Sequence, residues 1–146
     1  MSATGVDVFD KSLQITNTWL NEIMTEHGPD RQRAWHILGA VLRSLRDRLP
    51  PDLGAHLGAQ LPLLVRGAFY DHYEPSRLPE KSRTLEEFLS RVEGEMDGAR
   101  PVNLEEAVHS VFGVLSHHLD PGQIRKVREA LPEEVRRLWH DQDVRR

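Results

Sequence analysis

Glutamate and histidine at helical spacing are the residues of this sequence that come closest to a pattern for metal chemistry. Glu106 and His109 lie three positions apart, so both side chains would project from one face of a helix. Di-iron carboxylate proteins use this Glu-x-x-His spacing, but they need a second copy and two further carboxylates on facing helices. The equivalent stretch of the first half, Arg33–His36, has arginine in place of the glutamate. We therefore predict no metal site and interpret Glu106 as the partner of Asn103 in a helix cap.

Two histidines, His36 and His109, occupy equivalent positions in the two halves of the chain. In a structural interpretation, each is a partly buried residue on a long helix, hydrogen-bonded to a neighbour or a carbonyl. In the alternative, both lie near a pseudo-twofold axis, where they would bind an anion or a metal or respond to pH. The adjacent His117 and His118 are expected at a helix C-terminus, which favours a cation. Because neighbouring helical residues point about 100° apart, we do not expect these two to share an ion.

Arginine supplies the other repeated polar pair, Arg66 and Arg136, and each lies beside a valine. We favour a structural role, in which the guanidinium groups tie the last helix of each half to a helix end or a carboxylate. The alternative is a ligand site, so these arginines join His36 and His109 as candidate ligand-binding residues. The sequence has no glycine-rich phosphate loop and no His-Glu-x-x-His or Gly-x-Ser-x-Gly motif. We therefore assign no catalytic residue and expect no cofactor.

An internal repeat organises the elements that must position these residues. Four residues recur 73 positions later and, after a three-residue deletion, seven more recur 70 positions later. The matched pairs are Ala34 and Ala107, His36 and His109, Val41 and Val114, Leu42 and Leu115, Leu49 and Leu119, Pro51 and Pro121, Leu61 and Leu131, Pro62 and Pro132, Val65 and Val135, Arg66 and Arg136, and Asp71 and Asp141. The repeat predicts a tandem duplication of a four-helix unit, about residues 10–70 and 84–141, joined by a linker, 71–83. We expect both units to pack as one bundle-like domain over residues 1–146.

Helical apolar spacing, interrupted by Gly and Pro, predicts the elements within each unit. The first two helices are expected over about residues 10–27 and 31–49, the second capped by Asp30. Two short helices follow, and the second half repeats this order after a capping box, Thr84–Glu87. Strand signals are absent, so the predicted fold class is all-α. The apolar stripes of the first half include Leu13, Ile15, Trp19, Ile37, Val41, Leu64, Val65 and Phe69, and the last helix carries Val135, Leu138 and Trp139.

Charge and composition exclude several classes of function. The chain has 146 residues and a net charge of −4, which argues against sequence-independent binding to nucleic acid. The basic segment Val135–Arg137 follows Glu133 and Glu134, so we interpret it as a solvated face of mixed charge. The absence of cysteine excludes disulfides and thiolate metal sites. No apolar run is long enough to span a membrane, and the segment Met1–Asp7 does not resemble a signal peptide. We therefore expect a cytoplasmic protein without nucleic-acid or membrane partners.

The chain resembles a bacterial family, the domain-of-unknown-function 2267 family, over about residues 9–141. The resemblance implies an all-helical bacterial protein, and it carries over no activity, ligand or catalytic residue. Its motifs are mainly apolar and capping positions, which are specific only in combination. The segments that carry it are Phe9–Leu13, Asp30–Ala34, Ala40–Leu49, Ala55–Pro62, Glu87–Val92 and Ala130–Glu134.

Two classes of function remain open from the sequence. The first is a non-enzymatic helical interaction or regulatory module that binds a protein partner or forms a homo-oligomer. The second is a small-ligand or metal-binding protein that uses histidines between the two halves. Polar side chains converging on an enclosed pocket would favour the second class, whereas a dry apolar junction would favour the first. We favour the interaction module because the sequence lacks a catalytic constellation.

Overall fold

The helices predicted from the sequence can be compared with a computed structural model, which describes residues 3–78, 80–96, 98 and 102–140. Within these ranges there is no β-strand, and the all-α prediction is confirmed. A 3-10 helix, Pro75–Arg77, lies in the predicted linker. The α-helices are α1 (Asp7–His27), α2 (Arg31–Arg48), α3 (Pro51–Gln60), α4 (Leu63–Tyr70), α5 (Leu85–Met96), α6 (Leu104–His118), α7 (Pro121–Glu129) and α8 (Glu133–Arg136).

Side-chain caps begin the long helices α2 and α6 as predicted. The Asp30 carboxylate accepts a 3.2 Å hydrogen bond from the Arg33 N–H, and the Asn103 side chain accepts one of 3.0 Å from the Glu106 N–H. Each cap satisfies a backbone donor that the helix itself leaves unpaired. The prediction that the Glu106 carboxylate accepts a bond from Asn103 in return is wrong, because no bond described between the two residues involves that carboxylate. That carboxylate is therefore available to the surface beside α6.

The capping box at the start of α5 is confirmed in both directions. The Thr84 hydroxyl accepts a 3.1 Å hydrogen bond from the Glu87 N–H. The Glu87 carboxylate accepts bonds of 3.1 Å from the Thr84 N–H and 2.8 Å from the Arg83 N–H. These two backbone bonds, which favour the charged form, lower the pKa of the exposed Glu87 carboxyl.

Both ends of the chain differ from the sequence-based helix bounds. α1 begins at Asp7 instead of residue 10, and Thr4 orders this start by donating to the Asp10 carboxylate from its backbone and its hydroxyl. The last helix ends at Arg136, so Trp139 lies beyond it in a turn. The Trp139 N–H donates to the Arg136 carbonyl. The predicted end of the repeat at residue 141, with its matched Asp141, lies outside the described residues.

The core is organised around α2. This helix packs against α1, α3, α4, α5 and α6, so its apolar residues are buried on nearly all sides. α6 packs in turn against α1, α5 and α7. Aromatic rings fill the space between these helices, and the indole of Trp139 stacks on Phe112 with centroids 4.2 Å apart. The largest fully buried side chains include Trp19, Trp139, Phe69, Phe88, Phe112, Ile23, Ile37 and Leu38.

Candidate functional site

A seam between α1 and α6 collects many of the titratable side chains of the protein. The two helices run antiparallel, because the end of α1 contacts the middle of α6 whereas Glu22 contacts the end of α6. The seam holds carboxylates of both helices and histidines from three parts of the chain. Its polar residues are Glu22, Glu26, His27, Glu106, His109, Ser110, His117 and His118.

At one end of the seam, two histidines converge on one carboxylate. His118 Nε2 lies 2.5 Å from Glu22 Oε2, and His117 Nδ1 lies 3.1 Å from each Glu22 oxygen. The ring of His118 stacks on the buried indole of Trp19, with centroids 5.2 Å apart and planes 20° apart. Both adjacent histidines thus contact one carboxylate, although neighbouring helical residues point about 100° apart. They are the last residues of α6, and a carboxylate lies between the directions in which they project.

In the middle of the seam, the Ser110 hydroxyl joins the two helices. It donates to the Glu26 carboxylate, and its oxygen lies 2.9 Å from His27 Nε2. A serine that acts as a nucleophile needs an adjacent base, often a histidine, to accept its hydroxyl proton. Here the hydroxyl proton is directed to a carboxylate, so the histidine donates to the serine and does not accept its proton. This arrangement links the end of α1 to α6 and is not that of an activated nucleophile.

The repeated histidines lie in different environments. His109 is half-buried, and its Nδ1–H donates to the Leu138 carbonyl over 3.1 Å. The ring centroids of His109 and His140 are 4.1 Å apart. His36 is exposed on α2. In the described part of the chain, no hydrogen bond or ring contact joins His36 to His109. The carbonyl contact is of the kind expected in the structural interpretation of His109. The structure does not bring the two histidines together.

The repeated arginines make matching contacts at equivalent positions. The Arg66 Nη2 donates to the Leu61 carbonyl over 2.9 Å, and the Arg136 Nη2 donates to the Leu131 carbonyl over 2.9 Å. Arg66 also donates to the Gly58 carbonyl near the end of α3. These bonds satisfy carbonyls that a helix end leaves without partners. The contacts of Arg66 join α4 to the end of α3, which is the arrangement expected in the structural interpretation.

A buried network of charges on α2 was not predicted from the sequence. Arg46 is 3% exposed, and its Nε donates to Asp47 over 2.8 Å. Arg91 of α5 donates to the same carboxylate over 2.9 Å. The Arg46 Nη1 donates to the Phe69 and Asp71 carbonyls over 2.7 Å each. The network thus ties the start of the linker to α2 and α5.

An open cavity of about 520 Å³ lies beside this network. Its charged lining is balanced: Arg91 pairs with Asp47, and Arg77 lies 3.8 Å from Glu74. At the margin, Arg43 donates to Glu95 over 2.6 Å. Because these cations already face carboxylates, the cavity presents no concentrated charge to an ionic ligand. We interpret it as a structural junction.

A separate apolar cleft lies between the first half of α1 and the start of α4. Its volume is about 300 Å³, and its lining is almost entirely apolar. Leu13 and Leu64, which the sequence placed on apolar stripes, are exposed here, and Ile15 is exposed elsewhere on α1. The cleft lining, referred to below as the α1–α4 cleft, consists of Thr4, Phe9, Ser12, Leu13, Leu63 and Leu64.

Comparison with known proteins identifies the family. Residues 16–138 match the family described as uncharacterized conserved protein (DUF2267). The chain belongs to this family. Within the family match lie both the charged network of α2 and the histidines at the end of α6, whereas part of the α1–α4 cleft precedes it. No curated protein matches the chain.

The contacts described above differ in how far the sequence of this family member could predict them. Arg46 lies four positions after Leu42 and three before Leu49, on the buried stripe of α2, so its burial was readable from periodicity. Glu22 is 95 positions from His117, and no local pattern relates them.

None of the helices in the described ranges is both long and apolar enough to cross a bilayer.

Proposed function

We propose that the protein is a non-enzymatic helical interaction module that pairs with a second copy of itself through the α1–α4 cleft. The observation that carries this proposal is the concentration of exposed apolar side chains at this one place. Phe9 is 51% exposed and Leu63 is 48% exposed, and both line the cleft. Contiguous apolar surface of this kind is uncommon on a monomer and typical of an interface.

The shape of the surface favours a second copy as the occupant. Phe9 and Leu13 lie four residues apart on α1, so both project from one side of the helix, as in helices that anchor in a groove. The groove beside them is completed by Leu63 and Leu64 of α4. One molecule thus carries an anchoring ridge and a recess on the same face. A twofold contact requires a patch that is complementary to itself, and ridge beside recess meets that requirement.

The mass of the full chain in solution tests this proposal. We expect light scattering and sedimentation across the micromolar range to give a dimer in reversible exchange with monomer. Leu13→Ser combined with Leu64→Ser is expected to weaken dimerisation at least about tenfold, because the two changes together remove apolar area worth about 1.4 kcal/mol or more.

The matched control is Ile15→Ser. Ile15 is 39% exposed on the same helix, but it lies two residues from Leu13 and so on the opposite flank. This variant should dimerise like the unaltered chain. A chain that stays monomeric at the highest concentrations, or a control that weakens dimerisation as much as the cleft variant, would overturn the proposal.

We also infer that the chain arose by tandem duplication of a four-helix unit. Support comes from the order of two long and two short helices, which occurs twice, and from the matching bonds of Arg66 and Arg136. The unit boundaries proposed are about residues 10–70 and 84–141. A bacterial, cytoplasmic setting without nucleic-acid partners remains a prediction. Pull-down with nucleic acid and localisation in the native host test these last points.

A further inference from the structure

The strongest arrangement of chemically competent groups outside the α1–α4 cleft is the cluster of Glu22, His117 and His118. One ligand atom from each residue can be chosen so that all three lie within 4.8 Å of one another. Ligand atoms of a tetrahedral metal site, with bonds of about 2.1 Å, are about 3.4 Å apart. The contacts of 2.5 Å and 3.1 Å to the carboxylate are already at that scale. Binding of a small cation therefore requires only side-chain adjustment.

The cluster is held by packing on both helices. The ring of His118 rests on Trp19, whose side chain is 1% exposed and whose position is set by the core. Glu22 follows Trp19 by three residues, so it projects from the same side of α1, one turn farther along. Trp19 thus orients the imidazole, and α1 places the carboxylate opposite it. Such preorganisation lowers the entropic cost of binding an ion.

The electrostatic surroundings favour a cation. His117 and His118 are the last residues of α6, where backbone carbonyls and the helix dipole give a negative potential. Glu26 lies one turn beyond Glu22 on α1 and adds a second carboxylate to the seam. The structure therefore combines a negative field with two imidazole side chains.

We propose that Glu22, His117 and His118 bind one divalent first-row transition metal ion per chain, with Zn²⁺ as the reference ion. Two imidazoles and one carboxylate suit Zn²⁺, Ni²⁺ or Cu²⁺ and do not suit Mg²⁺ or Ca²⁺, which require oxygen ligands. Three protein ligands leave a fourth position for water or an external group. The prediction of no metal site rested on Glu106 and His109. The proposed site departs from the further expectation that His117 and His118 do not share an ion, because both rings contact the same carboxylate.

The site also joins the two halves of the chain. Glu22 belongs to the first helix, and the histidines end the sixth. Without an ion, the contacts are hydrogen bonds near the surface, and the His117 side chain is 68% exposed, so they contribute little to stability. A bound ion would couple α1 to α6 and stabilise the folded state by RT ln(1 + c/Kd), where c is the free ion concentration.

Titration of the tag-free full chain tests the site. We expect Zn²⁺ to bind with a stoichiometry of one, measured by calorimetry, and to raise the melting temperature. Co²⁺ should give the visible absorption of a low-coordinate ion. Glu22→Gln and His118→Gln are each expected to weaken Zn²⁺ binding at least about tenfold, since loss of even an outer-shell partner costs ten- to a hundredfold.

Exposed histidines elsewhere supply the matched controls. His36→Gln and His56→Gln change histidines that lie on α2 and α3, and both variants should bind Zn²⁺ with unaltered affinity. Circular dichroism of each variant without metal verifies folding, and Mg²⁺ verifies selectivity. Absence of saturable Zn²⁺ binding would overturn the proposal. Binding that Glu22→Gln leaves unchanged, or one ion shared by two chains, would also overturn it.

Discussion

Arg91 of α5 donates a 2.9 Å hydrogen bond to Asp47 of α2, and this contact links residues 44 positions apart. The same carboxylate accepts from Arg46, so one buried carboxylate pairs with two arginines. The linker joins this junction as well, since the Glu80 N–H donates to the Asp47 carbonyl over 2.7 Å. Charge pairing therefore fastens the second half of the chain to the central helix of the first.

Removal of this carboxylate should destabilise the protein strongly. We expect Asp47→Ala to lower the free energy of unfolding by about 3–5 kcal/mol, because the buried Arg46 loses its counter-charge. Urea denaturation measures the change. As a control, Arg77→Ala removes an exposed partner of Glu74 and should change stability by less than about 0.5 kcal/mol. Equal effects of the two variants would contradict the structural role of the network.

The two halves should not fold independently. α2 packs against α5 and α6, so residues 1–76 expressed alone would expose apolar surface on the central helix. We expect this fragment to show no cooperative thermal transition near that of the full chain. A monomeric fragment that melts cooperatively at the same temperature would contradict the prediction of a single domain.

A charge in the core of α6 should unfold both halves together. Val111 is fully buried, so Val111→Asp would place a carboxylate where it has no partner. We expect loss of the cooperative transition as monitored by circular dichroism. Val8→Asp alters a valine that is 57% exposed and should change stability by about 0.5 kcal/mol or less. Retention of structure in the α5 region of the Val111 variant would show that the halves unfold separately.

Close packing of α3 against α4 depends on Gly58. An added Cβ would lie 2.7 Å from the Tyr70 hydroxyl oxygen and 3.0 Å from a ring carbon of the buried Phe69. We expect Gly58→Ala to cost about 1–3 kcal/mol of unfolding free energy through overpacking. Gly94→Ala in α5 meets no atom within 4 Å and should be neutral or stabilising by up to about 1 kcal/mol. Thermal unfolding of both variants distinguishes packing from helix propensity.

The capping box of α5 should be visible in a titration. The Arg83 and Thr84 N–H groups lower the pKa of Glu87, so the box stabilises the fold above the pKa of the unfolded chain. This contribution is lost as pH falls through the lower, folded pKa. Carboxyl NMR should give Glu87 a pKa below its ordinary value, and Thr84→Ala should move it part of the way back. A value at or above the ordinary one would show that the box is not formed in solution.

The sequence by itself determined the elements and their local bonds. The Asp30 cap and the Thr84–Glu87 box each join groups three residues apart, and such contacts follow from helix geometry alone. The burial of Val41 and Val111 followed from helical periodicity for the same reason. These features depend on one or two turns of chain, and the residue types within those turns are sufficient to predict them.

Only the tertiary structure decided which distant groups meet and which apolar groups remain exposed. Leu13 shares the helical pattern of the core residues, yet it is exposed because α4 leaves an open cleft beside it. Glu22 meets His117 and His118 only because α1 and α6 pack antiparallel in one register. Register and coverage are set by the packing of all the helices together, through many weak contacts, and no local spacing encodes them.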